Sequence, residues 1–380
     1  MMRWHRLHEL RKQRMKQIEV QGLSHLAAAV AADKGVLIAP NHSFHWDSYC
    51  LFEATHRLRL AFYTMTAWQV FAQSSWVERM SLQHCGCFSI NREGTDLQAL
   101  KTAVDILRYR RQPLVIFPEG DIYHTNDRVT PLREGAASIA LMAARKSTRP
   151  MVILPTAIKR WYVRDPTPSL LKTIRTLEQY LLWRPRTDLP LLDRVRQVGH
   201  GLLGLKELEH LGEVRSGDLP GRIRGLAGHL LERMEARYGL KSTGSDTPDR
   251  VKNLRRHIIA LRRESANQIS DLPTVQACEA MDKDMDNLFF VTQLYSYPVN
   301  YLGEHPTRER LAETLDKLEE DALGAVYPSV RGDKRVVVRF GEPIEVSTRD
   351  SRALSSTTLT IRLERAIQGL LDELNAANPR

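Results

Sequence analysis

Gly35-Val-Leu-Ile-Ala-Pro40 runs directly into Asn41-His-Ser-Phe-His-Trp-Asp47. Within the first segment, Val36–Ala39 reads as a buried strand because its apolar character is continuous. His42 stands five residues before Asp47. On a regular helix that offset sets two side chains about 140° apart, and on a strand it sets them on opposite faces. They can meet only where the chain bends, as at a strand–loop–helix junction. There a carboxylate can hold an imidazole in one tautomer and make it a better base for a hydroxyl proton.

Working outward, apolar runs alternate with helical periodicity. Asp47–Arg57 starts a helix, Leu60–Met65 reads as a strand, Trp68–Met80 as a helix and Phe88–Asn91 as a short strand. Thr95-Asp-Leu-Gln98 has the pattern of a capping box, and Leu97, Leu100, Val104 and Leu107 follow it at helical spacing. Leu114–Phe117 and Met151–Ala157 are further strands, with a helix over Arg133–Arg145 between them. Such alternation predicts an α/β fold, a mixed sheet flanked by helices. The first 22 residues are basic and read as helical, ending near Gly22.

After Tyr162 the pattern becomes mainly helical, and it returns to a strand only at Lys334-Arg-Val-Val-Val-Arg-Phe-Gly-Glu-Pro343. Lys241–Asp249 reads as a polar loop. The expected division is an α/β core over 1–162, a helical insertion over 163–333, and a closing strand and C-terminal helix over 334–380. A separate C-terminal helical domain is the competing description.

The chain has 380 residues and a formal net charge of +10, with a pI near 9.5. This balance favours anionic partners. Four cysteines make no disulfide framework at this length. No apolar stretch approaches the roughly 20 residues of a spanning helix, and the N-terminus lacks the apolar core of a signal peptide. The expectation is a cytoplasmic protein with reduced thiols, soluble or peripheral on the inner face of the membrane. No basic–aromatic or zinc-binding motif supports nucleic-acid binding.

Four short blocks follow one another in the α/β region: Asn41-His42…Asp47, Gly86-Cys-Phe-Ser-Ile-Asn-Arg92, Phe117-Pro-Glu-Gly120 and Val152-Ile-Leu-Pro-Thr-Ala157. The first three lie at predicted strand ends, where ligand sites collect in α/β sheets. This ordered set resembles the glycerolipid acyltransferase superfamily, of which the lysophosphatidate acyltransferases are members. The resemblance covers roughly residues 18–160 and the strand near 334–346, and it implies a glycerol-3-phosphate acyltransferase-like sheet. It also implies that His42 takes the acceptor's hydroxyl proton while Asp47 orients the imidazole. Arg92 would bind the acceptor's phosphate, Glu119 would hold its glycerol-like hydroxyls, and Gly120 would allow close backbone approach. The acyl donor would be acyl-CoA or acyl carrier protein, the acceptor a lipid precursor at a membrane, and no cofactor would be needed. The sequence departs from the family at Asp121-Ile122, where a hydroxyl residue and Arg are usual, and Arg128 or Arg133 is then the substitute cation. Ser89 stands where a bulky apolar residue is common.

Other readings compete. A non-catalytic lipid- or carrier-binding protein on the same scaffold would not need His42, Asp47 and Glu119 intact. His84-Cys85-Gly-Cys87 lacks the second ligand pair of a structural zinc site, and His42, His45 and Asp47 have no partner cluster in the sequence. A metallohydrolase built on His42, His45 and Asp47 is therefore a minor alternative, no metal site is expected, and His45 reads as exposed. Leu170, Leu171, Ile174, Leu177 and Leu181 form an apolar stripe that suits either core packing or a membrane surface.

Overall fold

The computed structural model describes residues 2–91, 96–182, 184–240, 246–267, 275–297, 300–346 and 354–378. In chain order these form α1 (Met2–Lys12), β1 (Met15–Gln21), α2 (Leu23–Ala31), β2 (Gly35–Pro40), α3 (Asp47–His56), β3 (Tyr63–Ala67), α4 (Trp68–Gln73), α5 (Trp76–His84), β4 (Cys87–Ile90), α6 (Leu97–Tyr109) and β5 (Leu114–Val115). There follow α7 (Gly135–Arg145), β6 (Met151–Tyr162), α8 (Thr167–Leu181), α9 (Leu191–Leu211), α10 (Leu219–Arg237), α11 (Thr247–Asn267), α12 (Val275–Tyr295), α13 (Arg308–Leu323), β7 (Lys334–Phe340), β8 (Ile344–Val346) and α14 (Ser356–Ala376).

The strands form one mixed sheet in the order β1-β7-β6-β2-β5-β3-β4, with β8 also paired to β6. Strands β6, β2, β5, β3 and β4 are parallel. Strand β7 runs antiparallel to β6, and β1 runs parallel to β7. Every residue of β2 is buried, which is what a central strand covered on both faces requires. Its side chains alternate: Leu37 and Ala39 enter a core with Leu107 of α6, Ala140 of α7 and Leu363 and Ile367 of α14. Val36 and Ile38 enter the opposite core with Leu26 of α2 and Leu51 of α3.

The chain divides into two compact units. One holds the sheet and takes in the described residues of 1–173 and 304–380; the other takes in those of 174–303. The helical unit is packed around Leu226, Leu230, Met234, Leu254, Ile258, Leu288 and Val291. It also buries a two-pronged ion pair, Arg194 to Glu178, at 2.8 and 2.6 Å. The helical insertion is thus narrower than 163–333. Helix α13 belongs to the sheet unit because its carboxylates are buried there: Glu309 accepts from the Tyr162 N–H and Glu313 from the Asn126 N–H.

Local readings shift as well. Residues 15–21 are a strand rather than the end of a helix. Arg14 takes a left-handed φ of 56° that stops the helical path, and β1 pairs its Ile18 and Val20 with Val336 and Val338 of β7. The single helix expected over 68–80 is two, because Ser75 and Glu78 form a capping box that starts α5. Thr95 lies outside the described residues, and the observed cap of α6 is Asp96, which accepts from the Ala99 N–H. The expected loop at 241–249 lies partly outside the described residues; Thr247-Pro-Asp249 opens α11. Of the stripe at 170–181, Leu170, Ile174 and Leu177 are buried, Leu181 is half-buried and Leu171 is exposed, so three of its five positions pack inside the protein. No helix among the described residues is long and apolar enough to cross a membrane.

Gly22, between β1 and α2, has a φ of 64°, and a Cβ there would collide with the Phe340 carbonyl oxygen. Both the left-handed backbone and the lack of space exclude a side chain. Gly22→Ala is expected to lower the unfolding free energy by about 2 kcal/mol, read as a lower urea midpoint with an unchanged slope.

Candidate active site

Because β2, β5, β3 and β4 are parallel, the turns that follow them open at one edge of the sheet. His42 follows β2 and Glu119 follows β5. Arg92, which follows β4 in the sequence, lies outside the described residues. The bend needed between His42 and Asp47 is present. Asp47 opens α3 and is fully buried. Its Oδ2 accepts from the Ser43 N–H at 2.9 Å and the Phe44 N–H at 2.8 Å, and lies 3.2 Å from His42 Nδ1. One oxygen therefore folds the turn and orients the imidazole. The proton in that contact sits on Nδ1, which leaves the lone pair on Nε2. The His42 ring stacks on Phe117 at 4.0 Å, and the ring remains partly exposed.

Asn41 anchors the start of the turn. Its amide donates to the Ile158 carbonyl and accepts from the Ile158 N–H. This continues the ladder between β2 and β6 with a side chain where the main chain turns away. Arg160 holds the middle of the turn, donating to the Ser43 carbonyl at 3.1 Å and lying over the Phe44 ring at 4.0 Å.

Glu119 is 2% exposed. Its Oε1 accepts from the His42 main-chain N–H at 2.6 Å, and its Oε2 accepts from the N–H and the hydroxyl of Thr130. The carboxyl thus faces the His42 backbone and the 125–132 loop. Burial pushes it up to about 8, against the hydrogen bonds from Thr130 and His42, while Asp47 adds repulsion in the same direction as burial. Gly120 has a φ of 77°, and the space a Cβ would fill is taken by the Arg133 side chain. The close approach that this glycine permits is therefore that of Arg133. Arg133 is exposed and hydrogen-bonds to Tyr123. Arg128 is also exposed, and Asp121 accepts from the N–H of Ile122.

His45 is not simply exposed. Its Nε2 lies 2.9 Å from Glu320 Oε1, and His124 Nε2 lies 2.9 Å from Glu320 Oε2. Glu320 is on α13 and His124 is in the loop after Glu119, so sequence spacing gives no sign of the group. Burial would raise the Glu320 carboxyl, but the bonds from His124 and His45 outweigh it and bring it down to about 2. Burial lowers His124. Thr130 was equally invisible in the sequence, since a loop threonine carries no motif. The Cys85 and Cys87 thiols are free, and burial raises both, Cys87 to about 11. Protonated thiols are poor metal ligands.

Comparison with known proteins bears on this edge of the sheet. A family model described as Acyltransferase matches residues 17–159. A 1-acyl-sn-glycerol-3-phosphate acyltransferase from Streptococcus pneumoniae (strain ATCC BAA-255 / R6) is 33% identical over 110 residues, which is 28% of this chain. The match spans 37% of that relative's length. The segment 17–159 contains His42, Asp47, Glu119, Gly120 and Arg133, whereas Glu320 falls beyond it.

The raised Glu119 carboxyl has a stability consequence of definite sign. Between its ordinary value and about 8 the folded chain keeps a proton that the unfolded chain has lost. Stability from this group therefore falls as pH rises through that window and levels off above it. Glu119→Gln cannot titrate, so the difference in stability between wild type and variant should move in the variant's favour from pH 5 to pH 8. Urea unfolding across that range measures it; a constant difference would contradict the assignment.

Proposed function

We propose, on the footing that residues 17–159 are an acyltransferase domain of the glycerolipid acyltransferase superfamily, that this protein is an O-acyltransferase of phospholipid synthesis. It transfers a fatty acyl group from acyl-CoA or acyl carrier protein to a hydroxyl of a lysophosphatidate- or glycerol-phosphate-like acceptor. The observation that carries the reading is the His42–Asp47 contact at the C-terminal end of β2, with Nε2 as the basic nitrogen.

In this reading Nε2 of His42 takes the acceptor's hydroxyl proton as the oxygen attacks the thioester carbonyl. The tetrahedral oxyanion collapses, the carbon–sulfur bond breaks, and the departing thiolate takes the proton from the imidazolium. Asp47 stabilises that imidazolium and fixes its tautomer. Glu119 acts through the His42 main chain, since its carboxyl is buried against that N–H. Arg133, exposed beside Gly120, supplies a guanidinium for an acceptor phosphate, a geometry that suits a planar fork, and Arg92 is the second candidate for that role. Asp121 favours a second reading, an acceptor without phosphate, because a carboxylate beside Gly120 repels one.

A lipid acceptor requires access to a bilayer surface. Helices α4 and α5 bury no residue, and they expose Trp68, Val70, Trp76, Val77 and Met80. With Arg79 between them, these side chains have the mixture that enters a bilayer interface. We assign the membrane contact to this surface.

His42→Ala should lower free-thiol release from acyl-CoA with a lysophosphatidate acceptor by at least about 100-fold while far-UV circular dichroism stays native. Asp47→Asn should lower kcat more than it raises KM. Full turnover in a folded His42→Ala protein would sink the mechanism. Trp76→Ala combined with Val77→Ser should reduce co-sedimentation with anionic vesicles and leave turnover of a short-chain soluble acceptor intact.

A further inference from the structure

Near the proposed proton-transfer pair, three ligand-type side chains converge that the acyl-transfer reading does not use. His45 comes from the turn between His42 and Asp47, His124 from the loop after Glu119, and Glu320 from α13. Their donor atoms all lie within 4.8 Å of one another. The two Nε2 atoms address different oxygens of one carboxylate, each at 2.9 Å. We propose that His45, His124 and Glu320 bind one divalent transition-metal ion of the zinc class, with water in the remaining position.

The donor set fits such an ion. Two imidazoles and one carboxylate are a recurrent zinc set, with metal–ligand distances of about 2.0–2.2 Å. Two such ligands on a tetrahedral ion stand about 3.3 Å apart, so the two 2.9 Å contacts open by a few tenths of an ångström while the donor set, now spread within 4.8 Å, draws in around the ion.

The site is built rather than accidental. His124 is buried with a left-handed φ of 53°, a conformation that costs a non-glycine residue of order 1 kcal/mol and persists only where the surroundings enforce it. They do so here. Thr125 bonds the Arg128 carbonyl, and the Asn126 amide bonds both the N–H and the carbonyl of Arg160. Around the ligands, Tyr327 packs against the rings of His45 and Trp46 at 5.1 and 5.0 Å. The nearby cation Lys317 lies 3.2 Å from Asp321, which offsets its charge. The His45 and Glu320 side chains stay 23% and 19% exposed, which leaves a path for the ion and room for its water. An ion here would pin the turn that carries His42 and Asp47 to α13.

The competing description is a hydrogen-bonded His–Glu–His bridge without metal. The test uses the untagged full-length protein, stripped with a chelator and titrated with Co²⁺. The expected result is one equivalent of saturable visible absorption typical of a low-coordinate nitrogen/oxygen site. Zn²⁺ should displace it and raise Tm. His45→Ala and Glu320→Gln, each checked for native circular dichroism, should weaken Zn²⁺ binding by at least about tenfold. A wild-type protein that gives no saturable Co²⁺ spectrum overturns the proposal, and so do variants that bind as tightly as wild type. If a variant unfolds, the wild-type spectrum alone decides, because the hydrogen-bonded bridge yields none.

Discussion

A single carboxylate oxygen, Asp47 Oδ2, sets the geometry of the sheet edge. It accepts from the N–H groups of Ser43 and Phe44 and faces His42 Nδ1. A buried carboxylate without partners is costly, so its burial at the start of α3 is tolerable only when the turn closes around it. The same oxygen that compensates the burial therefore dictates the path from β2 to α3. An imidazole oriented by a group that also folds its own loop is held to one geometry. Losing the carboxylate would disturb both the loop and the orientation of the imidazole.

Side-chain amides extend this logic where the main chain stops pairing. Asn41 and Asn126 each bond both polar groups of a β6 residue, Ile158 and Arg160. The C-terminal half of β6 pairs with β7 on one side and is held on the other by these two loop asparagines. Buried main-chain groups are almost always satisfied, and here their satisfaction ties the His42 turn and the 124–130 loop to the same strand. Glu119 closes the circuit by joining the His42 N–H to Thr130. The site is thus set by strand positions rather than by loop packing alone.

How far the sequence could be read follows from the range of each interaction. The parallel strands were legible because continuous apolar runs such as Gly35–Pro40 need both faces covered. The His42–Asp47 meeting was legible because its contacts span five residues. Strand β1 was not: Lys16, Gln17, Glu19 and Gln21 make it mostly polar, and what makes it a strand is its pairing with β7, more than 300 residues away along the chain. The division after Trp68–Gln73 was written in Ser75 and Glu78 but hidden by the apolar residues on both sides. His45, His124 and Glu320 meet only through tertiary structure, and no local pattern announces such a group.

The placement of α13 shows most clearly why the boundary of the helical insertion could not be read. By periodicity it is one more charged helix, and charge on a helix usually means solvent. Here Glu309, Glu313, Asp316 and Glu319 are buried, because β6, β7 and their flanks present Arg160, Arg331 and Lys334 to the interior. Arg331 pairs with Asp316 and Glu319, and burial lowers it to about 10. Lys334 lies over the rings of Phe44 and Tyr162; burial, reinforced by Arg160 and Arg331, lowers it to about 7. Removing charges from water is expensive unless each finds a partner, so acidic helix and basic strands are tolerable inside only together. The electrostatic balance of the interior, rather than an apolar stripe, makes this helix part of the sheet unit and places Glu320 beside His45 and His124.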